Sequence, residues 1–224
     1  MARVLIGNVK PVKGKDYLTQ EDIDGLGSYF APQGFGLGGS GRGFDIKDID
    51  NFKQSGWYYS SDANGYNVDG VPMYYILLRV DSWWETAGFN TVVQTVYYDG
   101  LEARRFCQLD GWRPWEWVNP PMEVGKEYRT TERYMGKPVY VKVVDCVGCP
   151  GTEVKAVAHN TEGVVESIIS AVGRVSGTRL FPSSVIGGTM KLDIETTATD
   201  IVLYATADYF KDSPCHVTLK YTKV

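Results

Sequence analysis

A chain of 224 residues with 43% hydrophobic and 22% charged content can bury one large core or two to three small ones. Its formal net charge of −4, without a long basic run, argues against nucleic acid as the main partner, because phosphate binding needs clustered Lys and Arg. The longest nearly apolar run, Val71 to Leu78, is far short of the roughly 20 residues of a membrane helix. Val4-Leu5-Ile6 is too short for the apolar part of a secretory signal, so cytoplasmic synthesis with no signal peptide and no membrane insertion is expected.

Residues 1–43 read as a short strand at Val4-Leu5-Ile6, a polar stretch, and a helix over 20–26. Thr19 supplies the cap of that helix, and Gly25 and Gly27 stop it. Gly36, Gly38 and Gly41 form a literal G-x-G-x-x-G. A dinucleotide site needs a strand before this motif and a helix after it. Ala31-Pro32-Gln33 precedes it and no helical apolar period follows, so the segment reads as a linker and no cofactor is expected.

All six tryptophans lie within residues 44–119, which marks one aromatic-cored β module. Asp99-Gly100 is the pair that a two-residue type I′ hairpin demands. That turn sets Tyr98 opposite Leu101, Val96 opposite Ala103, Gln94 opposite Arg105 and Val92 opposite Cys107, with Cys107 a buried thiol. Asp110-Gly111 sends Trp112 to Val118 back as a third strand, which Pro114 makes an edge or bulged strand. Trp57, Trp115 and Trp117 are expected in the core of the module. Tyr58-Tyr59, Tyr74-Tyr75 and Trp83-Trp84 are adjacent pairs, and on a strand each pair would place one ring inside and one outside.

Residues 120–137 read as a connector carrying Pro120-Pro121. Residues 138–224 then show period-two strands at 138–144, 164–175, 190–195 and 201–207. A closing strand turns Val217, Leu219 and Tyr221 inward, and the whole stretch reads as a β-sandwich.

Catalytic signals are weak. Cys146-Val-Gly-Cys149 has the spacing of metal and redox sites, but a structural zinc wants two more ligands at matching spacing, and His159, Cys215 and His216 are far off in sequence. No helix start follows to activate a thiol, so a loop with incidental thiols is expected and metal is a weak alternative. No Ser/His/Asp or Cys/His arrangement is visible, whereas a carboxylate pair for glycoside cleavage stays open. The binding candidates are Trp83 and Trp84, the guanidinium of Arg179 beside Ser176-Gly177-Thr178, and the turn Asp208-Tyr209-Phe210-Lys211-Asp212.

The order Asp48-Ile-Asp-Asn-Phe-Lys-Gln-Ser-Gly-Trp57-Tyr58, a tyrosine-rich hairpin, the Arg104-Arg105 strand and Gly111-Trp-x-Pro-Trp-x-Trp-Val118 resembles the knob module of phage tail fibres and pyocin-type tailocins. Ala2 to Lys10 and His216 to Lys223 are also similar to fibre sequence. Here Gly14 is followed by no Gly-x-y repeat, so a collagen-like shaft is absent or replaced. The resemblance implies an all-β homotrimer in the tail fibre or tip of a virion. Segment 1–43 would dock on tail or baseplate proteins, 44–119 would be the knob, and 138–224 would be the head. The partner would be a bacterial surface polysaccharide or other host receptor, bound and not cleaved. A tail-associated glycan hydrolase and a purely structural connector are the alternatives.

Overall fold

The computed structural model describes residues 42–43, 46–53, 55–60, 66–84, 90–108, 111–176, 179–184 and 191–224. The expected attachment segment, the helix at 20–26 and the Gly-rich linker lie outside them, apart from Arg42 and Gly43. Among the described residues every regular element is a strand except two short 3-10 turns. The chain is all-β.

The aromatic module opens with β1 (Arg42–Gly43) and a 3-10 helix at Ile46–Asn51. It continues through β2 (Gly56–Ser60), β3 (Tyr66–Val68), β4 (Val71–Met73), β5 (Ile76–Trp84), β6 (Asn90–Tyr98), β7 (Leu101–Gln108), β8 (Gly111–Trp112) and β9 (Glu116–Asn119). Asp99 and Gly100 both have positive φ, as a type I′ turn requires, and β6 pairs with β7 in the register that this turn predicts. One face of the sheet carries Tyr58, Leu78, Val80, Val92, Val96, Ala103, Cys107 and Trp117. Ile49 of the 3-10 helix and Val68, Val71 and Met73 of the β3–β4 hairpin join them in a single core.

Both β8 and β9 pair with β7, Pro114 lies in the unpaired stretch between them, and β7 meets β9 with a register shift between Glu102 and Ala103. The expected bulge is therefore present. The edge is not, because β9 also pairs in parallel with the next strand through Thr130 and Trp117. That strand is β10 (Glu127–Tyr134), inside the stretch expected to be a bare connector. Its polar sequence hides a short buried face, Tyr128 and Thr130.

The remaining strands are β11 (Lys137–Asp145), β12 (Lys155–Ala158), β13 (Val165–Val175), β14 (Arg179–Phe181), β15 (Ser183–Ser184), β16 (Lys191–Thr196), β17 (Asp200–Ala205) and β18 (Cys215–Lys223). The sheet runs on without a break through β10-β11-β18-β13-β14, and a second sheet, β12-β17-β16-β15, packs over it. Val144, Val217 and Leu219 of the first meet Leu192, Ile201 and Leu203 of the second in one core. This is the expected sandwich, with β10, β12, β14 and β15 added.

Strand β11 departs from the one buried face that its period of two implies. Val141 belongs to the aromatic core, whereas Tyr140 and Val144 pack into the sandwich core, so each face seals a different module. Lys142 is buried as well, its ammonium donating to the Asn160 carbonyl. Glu116 reinforces the same junction from β9. It lies buried between Trp115 and Trp117 and accepts from Arg129 Nε at 2.9 Å and from Arg133 Nη2 at 2.7 and 2.8 Å.

Candidate functional site

The best-built exposed ring stands on the turn before β18. Asp208–Phe210 form one 3-10 turn, closed by Lys211 N–H donating to the Asp208 carbonyl at 3.0 Å and Ser213 N–H to the Phe210 carbonyl at 2.9 Å. Beneath it runs the segment after β11. Thr152 N–H donates to Asp208 Oδ1 at 2.9 Å, Asp212 N–H to the Cys149 carbonyl at 3.1 Å, and Cys149 N–H to the Ser213 carbonyl at 2.9 Å. The approach is close enough that a Cβ on Gly151 would lie 2.3 Å from Asp208 Oδ1. Backbone contacts therefore hold this turn on a rigid base before any ligand arrives.

On this turn the two rings take different roles. Phe210 packs against the sandwich core, while Tyr209 is 64% exposed and meets Phe210 edge-on at 4.8 Å. Asp208 and Lys211 are exposed beside it. Arg179 begins β14, pairing with Val175, and its side chain lies outside the described residues, as do Gly177 and Thr178.

The sequence-predicted aromatic pairs divide. Tyr58 is buried and Tyr59 exposed, as strand alternation predicts. Tyr74 and Tyr75 are both exposed, because they occupy the bend between β4 and β5 and not a strand. Trp83 and Trp84 end β5, and their side chains lie outside the described residues.

Trp57 is displaced from the core expected of it: alternation gives the inward place to Tyr58. Trp57 sits half-buried on the outer face, stacked on Tyr97 at 5.9 Å and 25°, with the Arg79 guanidinium 5.8 Å from its ring centre. Arg79 is held by Asp81, and Tyr59 and Leu77 continue the same face. This second aromatic ledge came from register, which sequence reasoning had for β6 and β7 but not for β2 and β5. Trp115 and Trp117 are both buried in the aromatic core.

The third cluster joins residues that looked unrelated in sequence. Cys146, Cys149 and Cys215 are all buried in the sandwich core. The Cys215 thiol, hydrogen-bonded to Cys146 and then Cys149, is pushed up in pKa, and the same contacts pull those two thiols down. His159 is buried too, whereas His216 is partly exposed on β18. Among the described residues no three His, Cys, Asp or Glu side chains are placed to hold a metal ion.

No family model matches the chain, and no curated protein matches it. Among solved structures it is similar to the R1 pyocin fibre of P. aeruginosa at 14% identity, over 85% of this chain and 69% of that one, with a TM-score of 0.26. The R2 pyocin fibre of P. aeruginosa gives 13% identity over 84% and 68%, with a TM-score of 0.27. An N-truncated R2-type pyocin tail fibre gives 13% over 82% and 95%, with a TM-score of 0.24.

Proposed function

We propose that this chain is a tail-fibre receptor-binding protein of a phage or tailocin particle, which attaches the particle to a surface glycan of its bacterial host without cleaving it. The observation that carries the proposal is the Tyr209 turn: an exposed ring flanked by a carboxylate and an ammonium on a base fixed by backbone hydrogen bonds. A ring of this kind covers the apolar face of a sugar, while charged neighbours bond its hydroxyls. Pre-ordering lowers the entropy lost on binding. Arg179 belongs to the proposed site as the donor of paired hydrogen bonds to sugar hydroxyls or a phosphate.

The double variant Tyr209→Ala/Arg179→Ala should adsorb to host cells at least tenfold more weakly, roughly 1.4 kcal/mol, with an unchanged melting temperature. Unchanged adsorption by that variant, with loss on replacing Trp83 or Trp84, would move the receptor site to the aromatic module. Incubation with host cell-wall polysaccharide tests the chemistry: retention without released product is expected, and product release would make the chain a hydrolase.

The particle form proposed is a homotrimer, since small β modules in series gain buried apolar surface by packing around an axis. Light scattering should give three times the 24.9 kDa chain mass. A monomer mass at micromolar concentrations would overturn this.

A further inference from the structure

The receptor-binding proposal makes no use of the three thiols in the sandwich core. The register of β11 with β18 ends at Asp145 opposite His216. The next step sets Cys146 opposite Cys215, with Cys146 N–H donating to the Cys215 carbonyl at 2.9 Å. Opposed residues of an antiparallel pair have Cα atoms about 4.5 to 5.5 Å apart, inside the span of about 4.4 to 6.8 Å that a disulfide bridges. Both cysteines are free thiols here.

The turn after Cys146 brings Cys149 to the same place in a conformation seldom taken by a β-branched residue. Val147 has φ 48° and Gly148 φ 90°. Asp145 Oδ1 accepts from Val147 N–H at 2.8 Å. The Lys155 ammonium donates to the Val147 and Gly148 carbonyls at 2.8 and 2.9 Å. At Gly148 a Cβ would come 3.1 Å from the Asp212 Cα, so the turn is pressed against the segment leading into Cys215. Such strain persists where surrounding structure enforces it, and here it fixes two thiols around a third. All three thiols lie in the sandwich core, and Cys149 N–H donates to the carbonyl of Ser213, two residues before Cys215. Three thiols in one core leave one to spare when two join, and among the described residues these donors are not placed around a metal ion.

We propose that Cys146 and Cys215, both fully buried in the native chain, form an oxidation site, joined as a disulfide when local opening of the strained 146–149 turn admits a low-molecular-weight disulfide. The Cys146 thiolate attacks a sulfur of the oxidant and releases one thiol. The Cys215 sulfur then attacks the Cys146 side of the mixed disulfide, releases the second thiol and passes its proton to it. The Sγ–Sγ bond forms, the oxidant's S–S bond is cleaved, and the oxidant carries away two electrons and two protons. The new bond ties β11 to β18 directly beneath the Tyr209 turn.

The test uses the full reduced chain, freed of reductant and incubated with oxidised glutathione. Thiols are counted after denaturation, and the linked peptides are mapped by mass spectrometry. Two of the four cysteines should be lost, Cys146 and Cys215 should be found linked, and the melting temperature should rise by several degrees, reversibly with reductant. Cys107→Ser should leave the link intact, and Cys215→Ser should abolish both the link and the rise. Should Cys215→Ser fail to fold, the peptide map of the parent decides alone. Four thiols persisting in the folded parent, a Cys146–Cys149 or Cys149–Cys215 link, or one zinc retained per reduced chain would each overturn the proposal.

Discussion

Trp117→Ala is expected to lower the unfolding free energy by about 3 to 5 kcal/mol, the range for deleting a fully buried large ring. The residue has no exposed surface, lies opposite Ala103 across β7 and β9, and meets Tyr128 of β10 edge-on at 5.8 Å and 85°. Its ring therefore fills the junction at which the sheet of the aromatic module becomes the sheet of the sandwich. Ala103 is too small to collapse into the vacated space, and neighbouring backbones are pinned by ladder hydrogen bonds on both sides, so the cavity stays open. Trp115 has one edge near solvent and a T-shaped contact with Tyr66 at 6.3 Å, which puts Trp115→Ala at the lower end of the same range. Urea unfolding followed by tryptophan fluorescence measures both. A Trp117→Ala loss under about 1 kcal/mol would mean that the ring does not seal the junction.

The elements legible in sequence were those in which local chemistry and burial agree. Asp99-Gly100 admits one tight turn, and from that turn alone the pairing of β6 with β7 follows residue by residue. The closing strand showed its period because one face is apolar, whereas two register shifts in β13 set Val165, Ile168 and Ala171 three apart on the core side. β10 was missed because its inward face is short and its outward arginines answer Glu116, a partner 13 and 17 residues away. Tertiary ion pairing leaves no periodic trace. β11 was misread for a related reason: period-two reasoning assumes one wet face, and this strand has a core on each side.

At the candidate sites the same limit recurs. Tyr209 was legible as an exposed ring because turn residues surround it. The fixed base beneath it was not, since it depends on Gly151 and Thr152 from another part of the chain. Cys215 was set aside as remote from Cys146, although the register of β11 with β18 brings the two together. Trp57 was assigned to the core by residue type, and only the pairing of β2 with β5 shows that Tyr58 has that place.

Arg105→Ala should cost about 3 kcal/mol, with little of it recovered by Arg105→Lys. The guanidinium is buried between two rings, 4.1 Å from the centre of Trp112 and 4.5 Å from that of Trp115. Its Nε donates to Gln94 Oε1 at 2.9 Å, and the Gln94 amide in turn donates to the Ile49 and Phe52 carbonyls at 2.7 Å each. This chain fixes the 3-10 helix over the aromatic core. Removing Arg105 strands a buried amide oxygen, which costs about 1 to 3 kcal/mol, and forfeits two cation–π contacts of about 0.5 to 2 kcal/mol each. The lost ion pair with Asp50 adds little to that cost, because that carboxylate is 63% exposed and regains water once freed. Lysine keeps the charge but has no planar fork to lie between the indoles while reaching Gln94. Guanidinium chloride unfolding of the two variants orders them. An Arg105→Lys protein as stable as the parent would assign the stabilisation to charge alone and not to the stacked, hydrogen-bonded plane.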